Sequence, residues 1–299
     1  MRRLAAVASA TLVVVLASGA CGGPHSSPET GEVAFVKREP GADYDIYVVR
    51  SDGAAERRLT RGQGDDLSPK WSPDGRQIAF ASERTGNFEI FVMAADGTNP
   101  RQLTRSPDRS ELFPTWSPDG RQIAFASSSG SSAQIYVVNL DGTDLRAVTA
   151  GALDTWPTWS PDGSHLAFGS VRGGPGQIYS IDLDGTGELN LTETAFDEVL
   201  PSWSPDGEHI AFASGRDDNG EIYVMDRDGG HPTRLTNELG DDTGPGWSAD
   251  GRLLIFASNR DGDYELYIMN VDGSDLRQLT DDQAEENLPA WRPGTASSD

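Results

Sequence analysis

Apolar residues in this chain come in short bursts, each bounded by turn-forming residues, and the bursts recur in a fixed order. One burst alternates small and large side chains, as in Gln77-Ile78-Ala79-Phe80-Ala81-Ser82. The next is almost continuous: Ile46-Tyr47-Val48-Val49, Ile90-Phe91-Val92-Met93, Ile135-Tyr136-Val137-Val138, Ile178-Tyr179-Ser180-Ile181, Ile222-Tyr223-Val224-Met225 and Leu266-Tyr267-Ile268-Met269. Runs this short, rich in β-branched and aromatic residues and punctuated by Gly, Pro and Asp, predict strands. A third, weaker run ends near Leu59-Thr60, Leu103-Thr104, Val148-Thr149, Leu191-Thr192, Leu235-Thr236 and Leu279-Thr280.

The polar punctuation repeats as strictly. Trp-Ser-Pro-Asp-Gly stands complete at Trp71–Gly75, Trp116–Gly120, Trp159–Gly163 and Trp203–Gly207. It is altered at Trp247-Ser248-Ala249-Asp250-Gly251 and reduced to Trp291-Arg292-Pro293 at the end. Successive tryptophans lie 45, 43, 44, 44 and 44 residues apart, a period that signals an array of supersecondary units. In Ser-Pro-Asp-Gly, Pro presets φ, Asp bonds its own backbone and Gly accepts positive φ, so the phrase predicts a tight turn between two strands. A second Asp-Gly turn follows the continuous burst at Asp52, Asp96, Asp141, Asp184, Asp228 and Asp272. Each unit thus holds four strands, and six units follow one another. One four-stranded sheet cannot bury both faces, whereas sheets stacked around an axis can. The expected fold is all-β: a six-bladed β-propeller of four-stranded antiparallel blades. The first unit starts at Val33-Ala34-Phe35 without a Trp strand, and the last Trp strand, Leu288–Trp291, has no successor. Ring closure by N- and C-terminal strands sharing one blade follows, and it removes free sheet edges.

The motif x-Pro-x-Trp-Ser-Pro-Asp-Gly-x-x-Ile-Ala-Phe, then Ile-Tyr-Val-Met, Asp-Gly and Arg-x-Leu-Thr, resembles the TolB-type, WD-like propeller repeat over residues 31–293. TolB itself is a periplasmic part of the Tol–Pal envelope system and carries an α/β domain before its propeller, for which residues 1–30 leave no room. The resemblance is closer to single-domain TolB-like lipoproteins, and it implies an envelope location. Fold likeness alone does not carry function, because propellers host many.

The N-terminus agrees with export. Residues 1–20 read as a signal peptide: Arg2 and Arg3, a mostly apolar stretch from Leu4 to Leu16, then small residues to Ala20. Cys21 is the only cysteine and cannot form an internal disulfide. Ala17-Ser18-Gly19-Ala20-Cys21-Gly22 resembles a lipobox, which makes Cys21 the expected lipidation site and membrane anchor, and residues 21–30 a flexible tether. Residues 31–299 then form the propeller. The chain carries a net charge of −23, which excludes nucleic acid as a partner and suits a basic protein surface.

Five residues before each Trp stands an acid: Asp66, Glu111, Asp154, Glu198, Asp242 and Glu286. Asp65, Asp197, Asp241 and Glu285 adjoin four of them. In a propeller these positions enter the innermost strands, so the six acids are expected to ring one channel mouth as a partner- or cation-binding site. Arg84, Arg172, Arg216 and Arg260, each four residues after the strand Phe, are expected to pair with some of them. Four Arg do not balance ten acids, so the remainder is free for a basic partner or for Ca²⁺. Lys70 and Arg292 are placed to line the channel, and Trp156, outside the repeat register, to pack at a blade edge. The Asp182-x-Asp184-Gly and Asp226-x-Asp228-Gly runs echo a calcium loop but coincide with the repeated turn. Histidines are scattered, no second Cys supports a metal site, and no Gly-x-Ser-x-Gly elbow or phosphate loop occurs. The reading is a monomeric scaffold that binds an envelope protein without catalysis or a resident cofactor. The alternative is an enzyme, or a carbohydrate- or metal-binding protein, using the acidic channel mouth.

Overall fold

The computed structural model describes residues 31–294 apart from 63 and 152. The expected leader over 1–20, the tether over 21–30 and Cys21 lie outside the described residues. Among those described there is no helix, and the strands form six antiparallel four-stranded sheets. Blade 2 shows the plan: an innermost strand Asp66–Trp71, then Gln77–Ser82, Glu89–Ala94 and a short outer strand Arg101–Gln102. Blades 3 to 6 repeat it, with innermost strands Ser110–Trp116, Asp154–Trp159, Glu198–Trp203 and Asp242–Trp247. Blade 1 is built from both ends of the described chain: Glu285–Trp291 pairs antiparallel with Glu32–Arg38, placing Val33 opposite Trp291. The innermost strands pack side by side in sequence, and that of blade 1 touches those of blades 2 and 6, closing the ring.

The apolar core lies between blades. Ile46 and Val48 of blade 1 pack with Trp71, Ile78, Phe80 and Met93 of blade 2, and each of the other five blade junctions has an equivalent cluster. This burial of both faces of every sheet is what the repeat array requires.

The turn phrase does what its residues dictate. In blade 2 Ser72 Oγ donates to Asp74 Oδ1 at 2.6 Å, the Arg76 amide donates to the same oxygen at 3.0 Å, and Gly75 adopts φ +66°. The outer strands are shorter than expected, ending before Leu-Thr (Arg57–Arg58 in blade 1). There the Thr hydroxyl takes over: Thr60 Oγ1 accepts from the Ile46 amide at 2.9 Å and donates to Asp45 at 3.1 Å.

Each innermost strand contains a bulge that the sequence pattern alone does not reveal. The register shifts between Leu67 and Lys70 and at the same place in every other blade. The residue three before each Trp holds positive φ: Ser68, Phe113, Trp156, Leu200, Gly244 and Leu288, all between 51° and 64°. A Pro follows each one. Proline cannot donate to a ladder and clashes with a preceding helical residue, and a left-handed bulge accommodates it.

Candidate functional site

The six acids before the tryptophans do not present themselves at an open mouth. Each is no more than 2% exposed. Four meet the Arg expected from the repeat: Arg84 to Asp66 at 3.0 Å, Arg172 to Asp154 at 2.7 Å, Arg216 to Glu198 at 2.9 Å and Arg260 to Asp242 at 2.9 Å. The other two have cations that the repeat position does not betray. Lys37 lies 3.1 Å from Glu286. Arg109 donates to Ser127 Oγ at 2.9 Å, and Ser127 in turn hydrogen-bonds Glu111. All six cations sit over an aromatic ring of their own blade, from 4.5 Å (Arg172 over Tyr179) to 5.6 Å (Lys37 over Tyr47). Each of these rings packs on the strand Phe beside it, with centroids 5.8–6.2 Å apart. Acid, cation and ring pair thus form one repeated buried unit.

The neighbouring acids tie elements together. Asp65 accepts from the Tyr44 amide at 2.9 Å, Asp197 from Gly176 at 2.7 Å and Asp241 from Gly220 at 2.8 Å, each amide belonging to the preceding blade. Glu285 accepts from the Tyr44 hydroxyl at 2.6 Å. Asp65, Asp197 and Asp241 thus latch neighbouring blades, while Asp197 and Asp241 stay exposed and without an ion pair among the described residues.

Burial pushes the carboxyls of Glu111 and Glu198 above the ordinary range. Glu286 is pushed up to about 8, by burial and by the nearby charge of Glu265, against the pull of Lys37. Among the described residues Glu56, Asp282 and Glu286 gather carboxylate oxygens within 4.8 Å of one another. The Lys37 ammonium pairs with all three, so the place a metal would take holds the protein's own cation.

The opposite end of the channel is different. Here the turn residues Asp74, Asp119, Asp162, Asp206 and Asp250 are all exposed. Each uses Oδ1 inside its own turn. These bonds hold Asp74, Asp119, Asp162 and Asp206 below the usual carboxylate range. Consecutive turns touch: a Cβ on Gly120, Gly163, Gly207 or Gly251 would lie within 3.8 Å of the preceding turn's Pro. At the sixth position Arg292 stacks over the Trp71 ring at 4.8 Å and donates to Gly75 O at 3.0 Å, so it joins this rim and does not line the channel as expected. The exposed acidic ring is thus made of residues that sequence reasoning assigns to turn formation alone; their exposure and shared rim are visible only in three dimensions.

Between the two ends lies an axial cavity of about 220 Å³. Its wall includes Lys70, as expected, with Thr115, Thr158, Ser202, Gly246 and Ala290 at equivalent positions. The bulge residues Ser68, Phe113, Trp156, Leu200, Gly244 and Leu288 also face it. Trp156 is therefore a channel residue, not a blade-edge one, and its ring lies 5.8 Å from that of Phe113.

These features define a closed, WD-like β-propeller with a rigid ring, two unlike faces and a small axial cavity. The profile of the TolB beta propeller domain matches residues 3–112, 108–197 and 188–297, and the chain belongs to that family. A Protein TolB homolog from Chlorobium luteolum is 53% identical over 57 residues, 19% of this chain and 13% of that protein. The match thus spans only about an eighth of that relative's length. The crystal structure of TolB from Acinetobacter baumannii aligns with a TM-score of 0.80 at 27% identity, covering 88% of this chain and 67% of that one. A putative TolB from Agrobacterium tumefaciens aligns at 0.70 and 21% identity, covering 89% of this chain and all of that one, a likeness of fold.

Proposed function

We propose that this chain is an exported scaffold of the cell envelope, anchored by lipid on Cys21, that docks a basic protein surface on the rim carrying Asp74, Asp119, Asp162, Asp206 and Asp250. The observation that carries the reading is the contrast between the two ends. At one end the six acids before the tryptophans are buried against internal cations, while the other end sets five exposed carboxylates on a closed circle of touching turns. Fixed like charges on a preorganised frame steer an oppositely charged partner and need no ordering on binding. Family membership supports an envelope role, since TolB homologues and Tol–Pal system TolB proteins are among the relatives.

The test is retention of envelope proteins on the immobilised chain at low and high salt, beside a variant with Asn at the five rim positions. Asn keeps the turn's acceptor oxygen and removes the charge. A protein retained by the native rim, released by salt and lost from the variant is the expected result. Equal retention by both forms would remove the rim from the reading. Lipidation is tested separately, by a mass increase at the N-terminal cysteine that Cys21→Ser abolishes.

A further inference from the structure

The sequence contains just two lysines. Lys37 is bound by three carboxylates, whereas Lys70, in the wall of the axial cavity, meets none among the described residues. Lys70 is half-buried, and desolvation within the cavity wall lowers its ammonium pKa to about 8, the direction expected of a cation without a counter-charge. Lys70 is not alone in lacking a partner. Ser68, two residues earlier on the same strand, is 3% exposed, and its hydroxyl meets no protein acceptor or donor. Of the six equivalent indoles, those of Trp71, Trp159, Trp203 and Trp291 lack an acceptor, whereas Trp116 and Trp247 each donate to a carbonyl at 3.0 Å. Lys70 and Ser68 line the cavity from blade 2, beside Trp71 of the same blade and Trp291 of blade 1.

The wall opposite is apolar at its bulge positions, with Thr115, Thr158 and Ser202 between them. Trp156 and Leu200 come from blades 4 and 5, across the ring, and Phe113 from blade 3 packs at a tilt against Trp156. Blade 6 contributes Gly244 and Gly246 beside Pro245 and Trp247, so no side chain fills the space at its two glycine positions. A half-buried cation beside a buried, unpartnered hydroxyl on one side, and aromatic and aliphatic surface on the other, are complementary to an amphipathic anion. A single cation inside a chain of net charge −23 selects a monoanion over a polyanion such as a phosphate ester.

We propose that the axial cavity is a binding site for a small monocarboxylate with an aromatic or apolar body. The carboxylate is held by the Lys70 ammonium and the Ser68 hydroxyl, and the body lies against Phe113, Trp156 and Leu200. This assignment stands apart from the protein-docking rim, and its test involves no partner.

The test is calorimetric titration of the intact protein at pH 7 with phenylacetate, phenylacetamide, acetate and inorganic phosphate. Phenylacetate is expected to bind at sub-millimolar to millimolar concentration, with the neutral amide, the body-less acetate and phosphate each at least about tenfold weaker. Raising the pH to 9.5 should weaken phenylacetate about tenfold or more, as Lys70 loses its proton. Lys70→Met should do the same at pH 7. Gly244→Leu, which gives blade 6 the residue that blades 1 and 5 carry at this bulge, should abolish binding by filling the space. Competitive acetylation read by mass spectrometry gives an independent readout on the native chain: phenylacetate should protect Lys70 and leave Lys37 unchanged. Equal binding of acid and amide, no binding at 10 mM, or an unaltered affinity in Lys70→Met would each overturn the proposal.

Discussion

A carboxylate buried beside a guanidinium that itself lies on two aromatic rings makes each group depend on the others. Arg260 is 11% exposed and its partner Asp242 1%. Arg260→Ala leaves a buried carboxylate without its cation and uncovers the Phe256–Tyr267 pair. The expected loss is about 3 kcal/mol, read as a fall in denaturation midpoint with unchanged slope. The same chemistry gives blade 1 a pH response. Glu286 holds its proton to about pH 8 in the folded protein but to about 4.5 in the unfolded chain. Its contribution is thus complete in acid and is lost as pH rises through 8. Glu286→Gln, neutral at every pH, should leave stability at pH 5 little changed and flatten the decline between pH 5 and 8.5, measured by urea unfolding. A wild-type protein without that decline would show that Lys37 keeps Glu286 ionised throughout. Four acid–cation pairs are legible in the sequence because Arg recurs four residues after the strand Phe. Lys37 and Arg109 are not, because blades 1 and 3 supply the cation from other positions. Lys37 stands two residues after Phe35, and Arg109 two before Glu111.

At the scale of the strand, the outer edge of every blade rests on a threonine. Thr236 accepts from the Ile222 amide at 2.9 Å and donates to the buried Glu221 at 2.6 Å. Thr236→Val keeps the shape and strands both partners, so a loss of about 1–3 kcal/mol is expected. Thr236→Ser keeps the hydroxyl and should recover most of it in the same melting experiment. Strand number, order and turn position are legible because hydrophobic period and turn chemistry agree in every unit. The bulge is not, because Pro-x-Trp fits a straight edge strand as well as a bulged one. Only the positive φ of residues such as Leu200 and Trp156 shows that these side chains are redirected into the channel. That one missed element moved Trp156 from a presumed blade edge to the cavity wall.

For the whole molecule, closure rests on a single pairing, Glu285–Trp291 with Glu32–Arg38. Removing residues 288–299 exposes the edge of blade 1 and the apolar junctions with blades 2 and 6, where Ala290 and Trp291 pack. The truncated chain should lose its cooperative unfolding transition and bind a hydrophobic dye. A synthetic peptide spanning 282–294, added in trans, should restore a measurable transition by supplying the missing strand. A truncated chain as stable as the intact one would mean that the blade stack holds without closure.

That pairing also sets a schedule. A ribosome makes Glu32–Arg38 before blades 2 to 6 and Glu285–Trp291 after them, so blade 1 waits while those blades each complete themselves locally. Contacts this distant in sequence form late and slowly. Until they form, the first blade keeps an open edge and its Lys37 lacks Glu286 and Asp282, both from the far end. A prematurely terminated chain is therefore marked by an unpaired strand and an exposed nest of apolar residues. Arrival of the closing strand becomes something that proteases can inspect.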